Sequence, residues 1–158
     1  GQENLDKTIK KYYLDYKFTH PTPNDIKRTA EKVSGANLDW YLNEWTQTTN
    51  TIDYTIKSVE NNKIVLERKG RMPMPLDILV EYNDGAQEQF YVPLRMMNYE
   101  KANPNPALKW TVLTENTWAQ SIYNFEISRS KSDIKKITID PKNLMADVDK
   151  SNNVFPKS

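Results

Sequence analysis

The sequence contains no cysteine, one histidine and only four glycines. Without cysteine the chain forms no disulfide, no thiolate metal site and no cysteine nucleophile. A single histidine cannot build a histidine-rich zinc site, and the metallopeptidase signature His-Glu-x-x-His does not occur. Four glycines are too few to hide a phosphate-binding loop or dinucleotide fingerprint, and a Gly-x-Ser-x-Gly elbow is also missing. The sequence therefore predicts no catalytic residue, no cofactor-binding residue and no metal ligand.

Excess charge and long apolar runs are scarce as well. Lys and Arg total 22 against 21 Asp and Glu, which leaves a net charge of +1 and favours neither nucleic acid nor an anionic membrane as a partner. No run approaches the roughly 18 apolar residues of a membrane span. No signal-like segment opens the chain, so we expect that any export signal was removed or lay upstream. Aromatic residues make up 11% of the chain, which is typical of a packed fold.

The first residues show helical periodicity. Within residues 4–18, apolar side chains recur at helical spacing and lysines occupy the other faces. These apolar positions are Leu5, Ile9, Tyr12, Tyr13 and Tyr16. The prolines of residues 20–23 (HPTP) end this helix, because proline lacks an amide hydrogen. Thr22 is a suitable N-cap for a second helix, with Pro23 at its first position and Asp25 completing an approximate capping box.

The second helix is predicted to run to about Val33, with Gly35 providing a C-cap signal. Asn37 can cap a third helix. The apolar face of that helix consists of Leu38, Tyr41, Leu42 and Trp45. The sequence thus predicts three short helices before residue 50, with a boundary near Asn50 that separates a helical segment, 1–50, from a strand-rich domain, 51–158.

From Thr51 onward the hydrophobic period changes from 3.6 to 2. Two turn signals, Asn61-Asn62 and Asp84-Gly85, each predict a β-hairpin. Further alternating segments separated by turn-rich sequence raise the total to about seven strands. The predicted strands after the first span residues 64–68, 76–82, 89–94, 110–113, 121–128 and 134–140. This pattern predicts a mainly β fold, an immunoglobulin-like antiparallel β-sandwich preceded by three helices.

Two groups of polar residues are the candidates for chemistry. His20 lies in a helix-to-helix turn, where capping or packing is the expected role and a general base is the alternative. Asp140, Asp147 and Asp149 form the only plausible metal cluster, because Asp147-x-Asp149 resembles the opening of a calcium loop. The match fails where such a loop needs glycine and glutamate, because these positions hold Asn152 and Ser158. Turn formation is therefore the favoured role of these aspartates.

Four aromatic residues could form a stacking platform for a sugar or peptide. They are Trp110, Trp118, Tyr123 and Tyr99. Large aromatic residues in a β-sandwich are more often part of its core, so packing is the favoured interpretation and an exposed platform the alternative.

Several motifs resemble one enzyme family. Residues 18–25 (FTHPTPND), 33–41 (VSGANLDWY) and 44–45 (EW) resemble the end of the catalytic domain in gluzincin aminopeptidases of the aminopeptidase N type. The resemblance continues through short motifs in the strand-rich part, as in a bacterial subgroup of these enzymes, and covers nearly the whole chain. These motifs lie at 51–54 (TIDY), 72–75 (MPMP), 84–85 (DG), 139–141 (IDP), 146–149 (ADVD) and 152–153 (NN).

The resemblance implies a zinc enzyme that removes N-terminal residues from peptides, in which two His and a Glu hold the metal. None of those ligands has a counterpart here, because that part of the family pattern lies upstream of the matching region. Zinc is thus expected in the parent enzyme and not in this chain. The resemblance also implies that Trp40 and Trp45, with Leu38 and Leu42, are packing residues. It suggests a bacterial protein exported to the periplasm or secreted.

Two function classes follow. The favoured hypothesis is a non-catalytic structural and interaction domain at the C-terminal end of a zinc aminopeptidase, with the rest of the same polypeptide as its partner. The alternative is a free-standing sandwich that binds carbohydrate or peptide. The helices favour the first, because a free-standing module has little need for them. We expect an exposed apolar seam that permits self-association. Its residues are drawn from Leu5, Ile9, Tyr12, Tyr13, Tyr16, Trp40 and Trp45.

Overall fold

The fold combines helices and strands in nearly equal amounts. A computed structural model describes residues 1–117 and 119–157. Over these residues there are three α-helices and eight β-strands in two sheets, with 29% of residues helical and 30% in strands. The expectation of a mainly β fold is therefore wrong. The strands are short, between two and seven residues, so that all eight together hold only 43 residues, close to the 36 residues of the three α-helices.

The three predicted helices are present. They are α1 (Gln2–Tyr16), α2 (Pro23–Ser34) and α3 (Asp39–Gln47). Local rules explain the bounds of α2, because the backbone N–H of Thr22 donates to Asp25 Oδ2 at 2.7 Å and Gly35 ends the helix in the left-handed region, at φ 77°. The end of α1 is unusual. Phe18, two residues beyond it, also has a positive φ of 67°, a conformation that costs a residue with a side chain about 1–2 kcal/mol.

The chain divides into two compact units. A helical unit comprises residues 1–49 together with 96–101, and a strand unit comprises residues 50–95 and 102–158. Sequence patterns placed the change at the same point but did not assign 96–101 to the helices. In the helical unit, Glu31 Oε1 accepts a hydrogen bond from the Leu38 backbone, and Lys27 forms an ion pair with Asp39. These contacts fasten the start of α3 to α2.

The strand unit contains eight strands. Their bounds are β1 (Tyr54–Glu60), β2 (Lys63–Arg68), β3 (Leu76–Tyr82), β4 (Gln87–Val92), β5 (Lys109–Val112), β6 (Ile122–Glu126), β7 (Ile134–Ile139) and β8 (Val154–Phe155). One sheet has the order β1-β2-β6 and the other the order β5-β4-β3-β7-β8. Both predicted hairpins, β1–β2 and β3–β4, are confirmed. Positive φ angles at Asn61 and Gly85 allow the tight turns that the sequence signals indicated.

One pairing departs from the predicted antiparallel arrangement. β5 runs parallel to β4, in a register that sets Glu88 opposite Lys109. Parallel neighbours need a long crossover connection, which the segment between Val92 and Lys109 supplies. Turn composition alone does not reveal the direction in which such a segment returns. The two-residue strand β8 was also missed, because it is too short to show alternation.

The strand unit is held together by one hydrophobic core to which both sheets contribute. Alternation along β3 buries every second residue, starting with Leu76 and ending with Tyr82. The three-stranded sheet contributes side chains that include Ile64, Leu66 and Phe125. Burial of each such side chain stabilises the fold by about 1.5–3 kcal/mol, so the two sheets depend on each other for stability.

We predict that Gly70→Ala destabilises the strand unit by about 2 kcal/mol or more. A Cβ atom at this position would overlap the Thr51 carbonyl oxygen and lie 2.7 Å from the Asp53 backbone nitrogen, neither of which can move freely. Gly85→Ala is the control, because a Cβ atom at that site would meet open space. Only the positive φ of 87° is unfavourable there, and it should lower the free energy of unfolding by about 1 kcal/mol. Urea unfolding measures both. An equal loss in the two variants would contradict the prediction.

Candidate functional site

Asp147 is a buried carboxylate that connects distant parts of the strand unit. Its Oδ2 accepts hydrogen bonds from the Tyr54 backbone at 3.0 Å and from Asn153 Nδ2 at 3.2 Å. Its Oδ1 accepts from the Asp149 backbone at 2.9 Å. Three N–H donors therefore meet most of the hydrogen-bonding capacity of this buried carboxylate. Asp147 therefore serves as a structural anchor between the first strand and the end of the chain.

The other aspartates of the predicted cluster have similar roles. Asp140 accepts hydrogen bonds from the backbones of Leu144 and Met145, and Asp149 accepts from the backbone of Ser151. The prediction that these aspartates form turns is confirmed by these bonds. Ser158, the last position of the calcium-like pattern, lies outside the described residues. In residues 1–117 and 119–157, no three His, Asp or Glu side chains are grouped as metal ligands.

A second buried carboxylate, Glu88, was not foreseen. It accepts hydrogen bonds from Tyr82 Oη at 2.9 Å, Lys109 Nζ at 2.8 Å and Ser128 Oγ at 2.7 Å. Burial alone raises the pKa of Glu88, but the hydrogen bonds from Lys109, Ser128 and Tyr82 together outweigh it and lower that pKa. Burial, assisted by the bond to Glu88, raises the pKa of Tyr82 to about 12. The hydrogen bonds of Tyr82, Glu88 and Lys109 thus link β3, β4 and β5.

A sequence signal for this group existed. Strand alternation places Glu88 on the same face as Phe90 and Val92, which is the buried face of β4. An acid in that register must find partners, because an unpaired buried charge is costly. The partners could not be named from sequence, since Ser128 and Lys109 reach Glu88 only through the tertiary fold.

The aromatic platform, which was the alternative to packing, is not assembled from the residues that the structure describes. Trp110 lies on β5 and stacks on the buried Tyr91, with ring centroids 5.7 Å apart. Tyr123 lies on β6, in the other sheet, and its hydroxyl donates to the Thr114 carbonyl at 2.6 Å. Tyr99 belongs to the helical unit, and Trp118 lies outside the described residues. Trp110 and Tyr123 thus take part in packing of the strand unit.

His20 is exposed in the turn between α1 and α2. In the described part of the chain its ring makes no hydrogen bond with a carboxylate, the arrangement that orients a general base. Nearby Asp25 is instead engaged by the backbone and hydroxyl of Thr22, which lower the pKa of Asp25.

The third helix carries an aromatic surface, which we call the α3 aromatic face and which consists of Trp40, Tyr41 and Trp45. The rings of Trp40 and Tyr41 meet edge to face at 5.6 Å, and those of Tyr41 and Trp45 lie 6.0 Å apart. Tyr41 is 40% exposed and Trp45 48%. A nine-residue helix that exposes this much aromatic surface is typical of an interaction site.

An apolar groove lies beside this face within the helical unit. Its volume is about 320 Å³, and side chains of all three helices line it. Its apolar lining consists of Leu5, Ile9, Ile26, Ala30, Leu38, Tyr41 and Leu42. Nearly all of its surface is apolar, which suits a hydrophobic side chain better than a charged or polar ligand.

The predicted exposed seam is confirmed in part. Leu5, Ile9, Tyr13 and Trp45 are exposed, whereas the other three members are half-buried. Tyr12 and Tyr16, for example, contact each other with ring centroids 5.3 Å apart. One strongly exposed apolar residue was not predicted. It is Phe18, which is 96% exposed.

Comparisons with known proteins gave no relatives. No family model, no curated protein and no solved structure matches the chain. As a separate finding, none of the described helices has both the length and the apolar character required to cross a membrane.

We predict that Asp147→Ala lowers the free energy of unfolding by about 3 kcal/mol. The substitution leaves three N–H donors without their charged acceptor inside the protein. Asp149→Ala is the matched control, with an expected loss of about 1 kcal/mol because Asp149 is less buried.

Thermal melts are run with and without calcium, which should leave the wild-type Tm unchanged. A calcium-dependent rise of several degrees would show that the anchor is a metal site.

We predict a pH-dependent effect of Glu88→Gln. The pKa of Glu88 is lower in the folded state, so its stabilisation is fully present above the ordinary Glu pKa of about 4.3 and is lost as pH falls through the folded value. The difference in stability between wild type and Glu88→Gln should therefore be largest near neutral pH and shrink below about pH 4. Urea unfolding across pH 3–7 measures it. A gap that stays constant with pH would refute the assignment.

Proposed function

We propose that this chain is the non-catalytic C-terminal part of a zinc-dependent aminopeptidase of the aminopeptidase N type. In this role it is a structural and interaction domain, and its partner is the catalytic remainder of the same polypeptide. The observation that carries the proposal is the exposed α3 aromatic face, next to the apolar groove. The motifs that resemble the family include residues 33–41 and 44–45, which contain all three residues of that face.

The expected burial energy supports the proposal that a partner covers the α3 aromatic face. Burial of aromatic side chains such as Tyr41 and Trp45 stabilises an interface by about 1.5–3 kcal/mol each. Tyr and Trp are also the residue types that most often dominate binding energy. An exposed aromatic pair of this kind therefore suits attachment to a larger domain better than permanent contact with water.

We further propose that the strand unit is an immunoglobulin-like β-sandwich. Two sheets of three and five strands share one hydrophobic core, which is the arrangement expected of two packed sheets. The parallel β4–β5 pair is the feature that differs from the usual antiparallel pattern. In the proposed enzyme this unit contributes shape and contact surface, with no role in the chemistry.

The zinc of such an enzyme does not fit this chain. Catalytic zinc in this class is held by two His and a Glu, and the sequence has one His and no Cys. His20, the only candidate, is exposed in a turn. The metal ligands and the water-activating Glu therefore belong to the catalytic remainder. The same resemblance supports our proposal that the protein is bacterial and exported.

The alternative, a free-standing carbohydrate- or peptide-binding sandwich, has less support. It requires exposed aromatic residues on the strand unit. The two described candidates there, Trp110 and Tyr123, are engaged by Tyr91 and Thr114. The exposed aromatic residues Tyr41 and Trp45 instead lie on a helix.

The test begins with the reading frame upstream of this chain, which should encode His-Glu-x-x-His. We predict that the upstream polypeptide, produced separately, binds this chain and that Trp45→Ala weakens binding by about 30-fold, equivalent to about 2 kcal/mol for an aromatic anchor. Gln47→Ala, an exposed polar change on the same helix, is the control. Titration calorimetry gives the affinities.

Activity provides the second readout. Hydrolysis of aminoacyl nitroanilides and stoichiometric zinc should be found with the upstream polypeptide and not with this chain alone. An upstream frame without His-Glu-x-x-His, or zinc-dependent turnover by the isolated chain, would overturn the proposal.

A further inference from the structure

Helix α1 presents an apolar stripe to solvent. Leu5, Ile9 and Tyr13 follow each other at intervals of four residues, so they lie on one side of the helix, and each is at least half exposed. We call these three residues the α1 stripe. Thr8, by contrast, is buried. The stripe is therefore a surface that the packing within the helical unit leaves uncovered.

Phe18 extends this surface beyond the end of α1. Its backbone takes the left-handed conformation that usually belongs to glycine after a helix, as Gly35 shows after α2. Its ring is nevertheless 96% exposed and gains no packing in return. A bulky residue held in strain without a contact inside the fold points to a contact outside it.

The charges of α1 are divided along its length. Residues 2–9 carry two acids and one base, whereas residues 10–18 carry three bases and one acid. Two pairs are already neutralised within the helix, Lys7 with Glu3 and Lys11 with Asp15. Of the described charged side chains in residues 2–18, three have no ion pair. They are Asp6 in the first half of this segment and Lys10 and Lys17 in the second. A helix of this kind is complementary to an antiparallel copy of itself.

We propose that two copies of this chain associate through antiparallel α1 stripes. Asp6 of each copy then faces Lys17 of the other, which gives two symmetric ion pairs. In an antiparallel pair, one step forward on one helix is one step back on the other. Phe18 directly follows Lys17 beyond the end of α1, so the arrangement that pairs Asp6 with Lys17 also brings Phe18 near Leu5 of the other copy. One arrangement thus accommodates both the charge pairing and the exposed phenylalanine.

The apolar groove provides a receptor for the Phe18 ring. Leu5 and Ile9 form one wall of this groove, and its volume of about 320 Å³ can accommodate a phenyl ring. Because the arrangement is two-fold symmetric, each copy inserts one ring and receives one. The two insertions close the pair, so that further copies cannot add.

The available area indicates a weak dimer. The exposed parts of the α1 stripe and Phe18 amount to roughly 500 Å² per copy, if an aromatic side chain counts for about 150–250 Å². Two copies together thus bury roughly 1,000 Å², which is the lower limit for a specific interface. We therefore expect association in the micromolar range, with a clear dependence on concentration. This inference does not rest on the proposed function.

Sedimentation velocity on this chain across 1–300 µM tests the proposal. We expect a monomer–dimer equilibrium with no larger species. Asp6→Lys and Lys17→Asp should each raise the dimer Kd at least tenfold, because each places like charges opposite one another, and the double variant should restore association. Lys32→Asp, an exposed change on α2, is the charge control and should have no effect.

Phe18→Gly distinguishes an anchor from a structural residue. It should raise the dimer Kd at least tenfold, yet raise the Tm measured at 1 µM by a few degrees, because glycine relieves the positive φ. A chain that remains monomeric at 300 µM, a double charge variant that fails to associate, or a dimer lost on Trp45→Ala would overturn the proposal. So would loss of binding to the upstream polypeptide in Asp6→Lys while the chain stays monomeric. None of these results affects the search for an upstream zinc motif.

Discussion

The strand unit depends on the closure of its two ends around one carboxylate. Asp147 accepts the backbone N–H of Tyr54, 93 residues earlier in the chain, while the backbone of Val148 donates to the Ile52 carbonyl. Nearby, Thr55 donates to the Asn152 carbonyl. Closing so long a loop costs entropy that grows only slowly with its length, so a few well-made bonds suffice. The first strand and the last strand are thereby fixed around the shared core.

Two buried carboxylates, Asp147 and Glu88, stabilise different parts of the strand unit. Asp147 joins the first and last segments of the strand unit, and Glu88 joins β3, β4 and β5 at the side of the five-stranded sheet where β5 runs parallel to β4. Each accepts at least one hydrogen bond from a distant segment, Asp147 from Tyr54 and Glu88 from Ser128, as well as bonds from nearer residues. The helical unit shows the opposite character. Two of its large aromatic residues, Phe18 and Trp45, are exposed, and they would be buried only by contacts outside the unit.

The sequence was informative wherever a local rule decides the structure. Thr22 with Asp25 and the Gly35 cap set the limits of α2, and Asp84-Gly85 set a hairpin. It was not informative where distant segments decide. The parallel direction of β5, the hydrogen-bond partners of Glu88 and the exposure of Phe18 all depend on packing, which a local pattern does not encode. The aspartates near the end were correctly interpreted as turn residues because their pattern lacked the glycine that a calcium loop needs.

The crossover between β4 and β5 also bears on how this protein could be divided or recombined. After β4 the chain enters the helical unit, where the Met97 carbonyl accepts a hydrogen bond from the Asn37 backbone, and then returns to form β5. Neither unit is one continuous stretch of sequence. A single cut near residue 50 would leave the hexapeptide 96–101 attached to the strands and the helices without it. Genetic exchange of the strand unit would therefore require three junctions, near residues 50, 95 and 101, which favours inheritance of both units together.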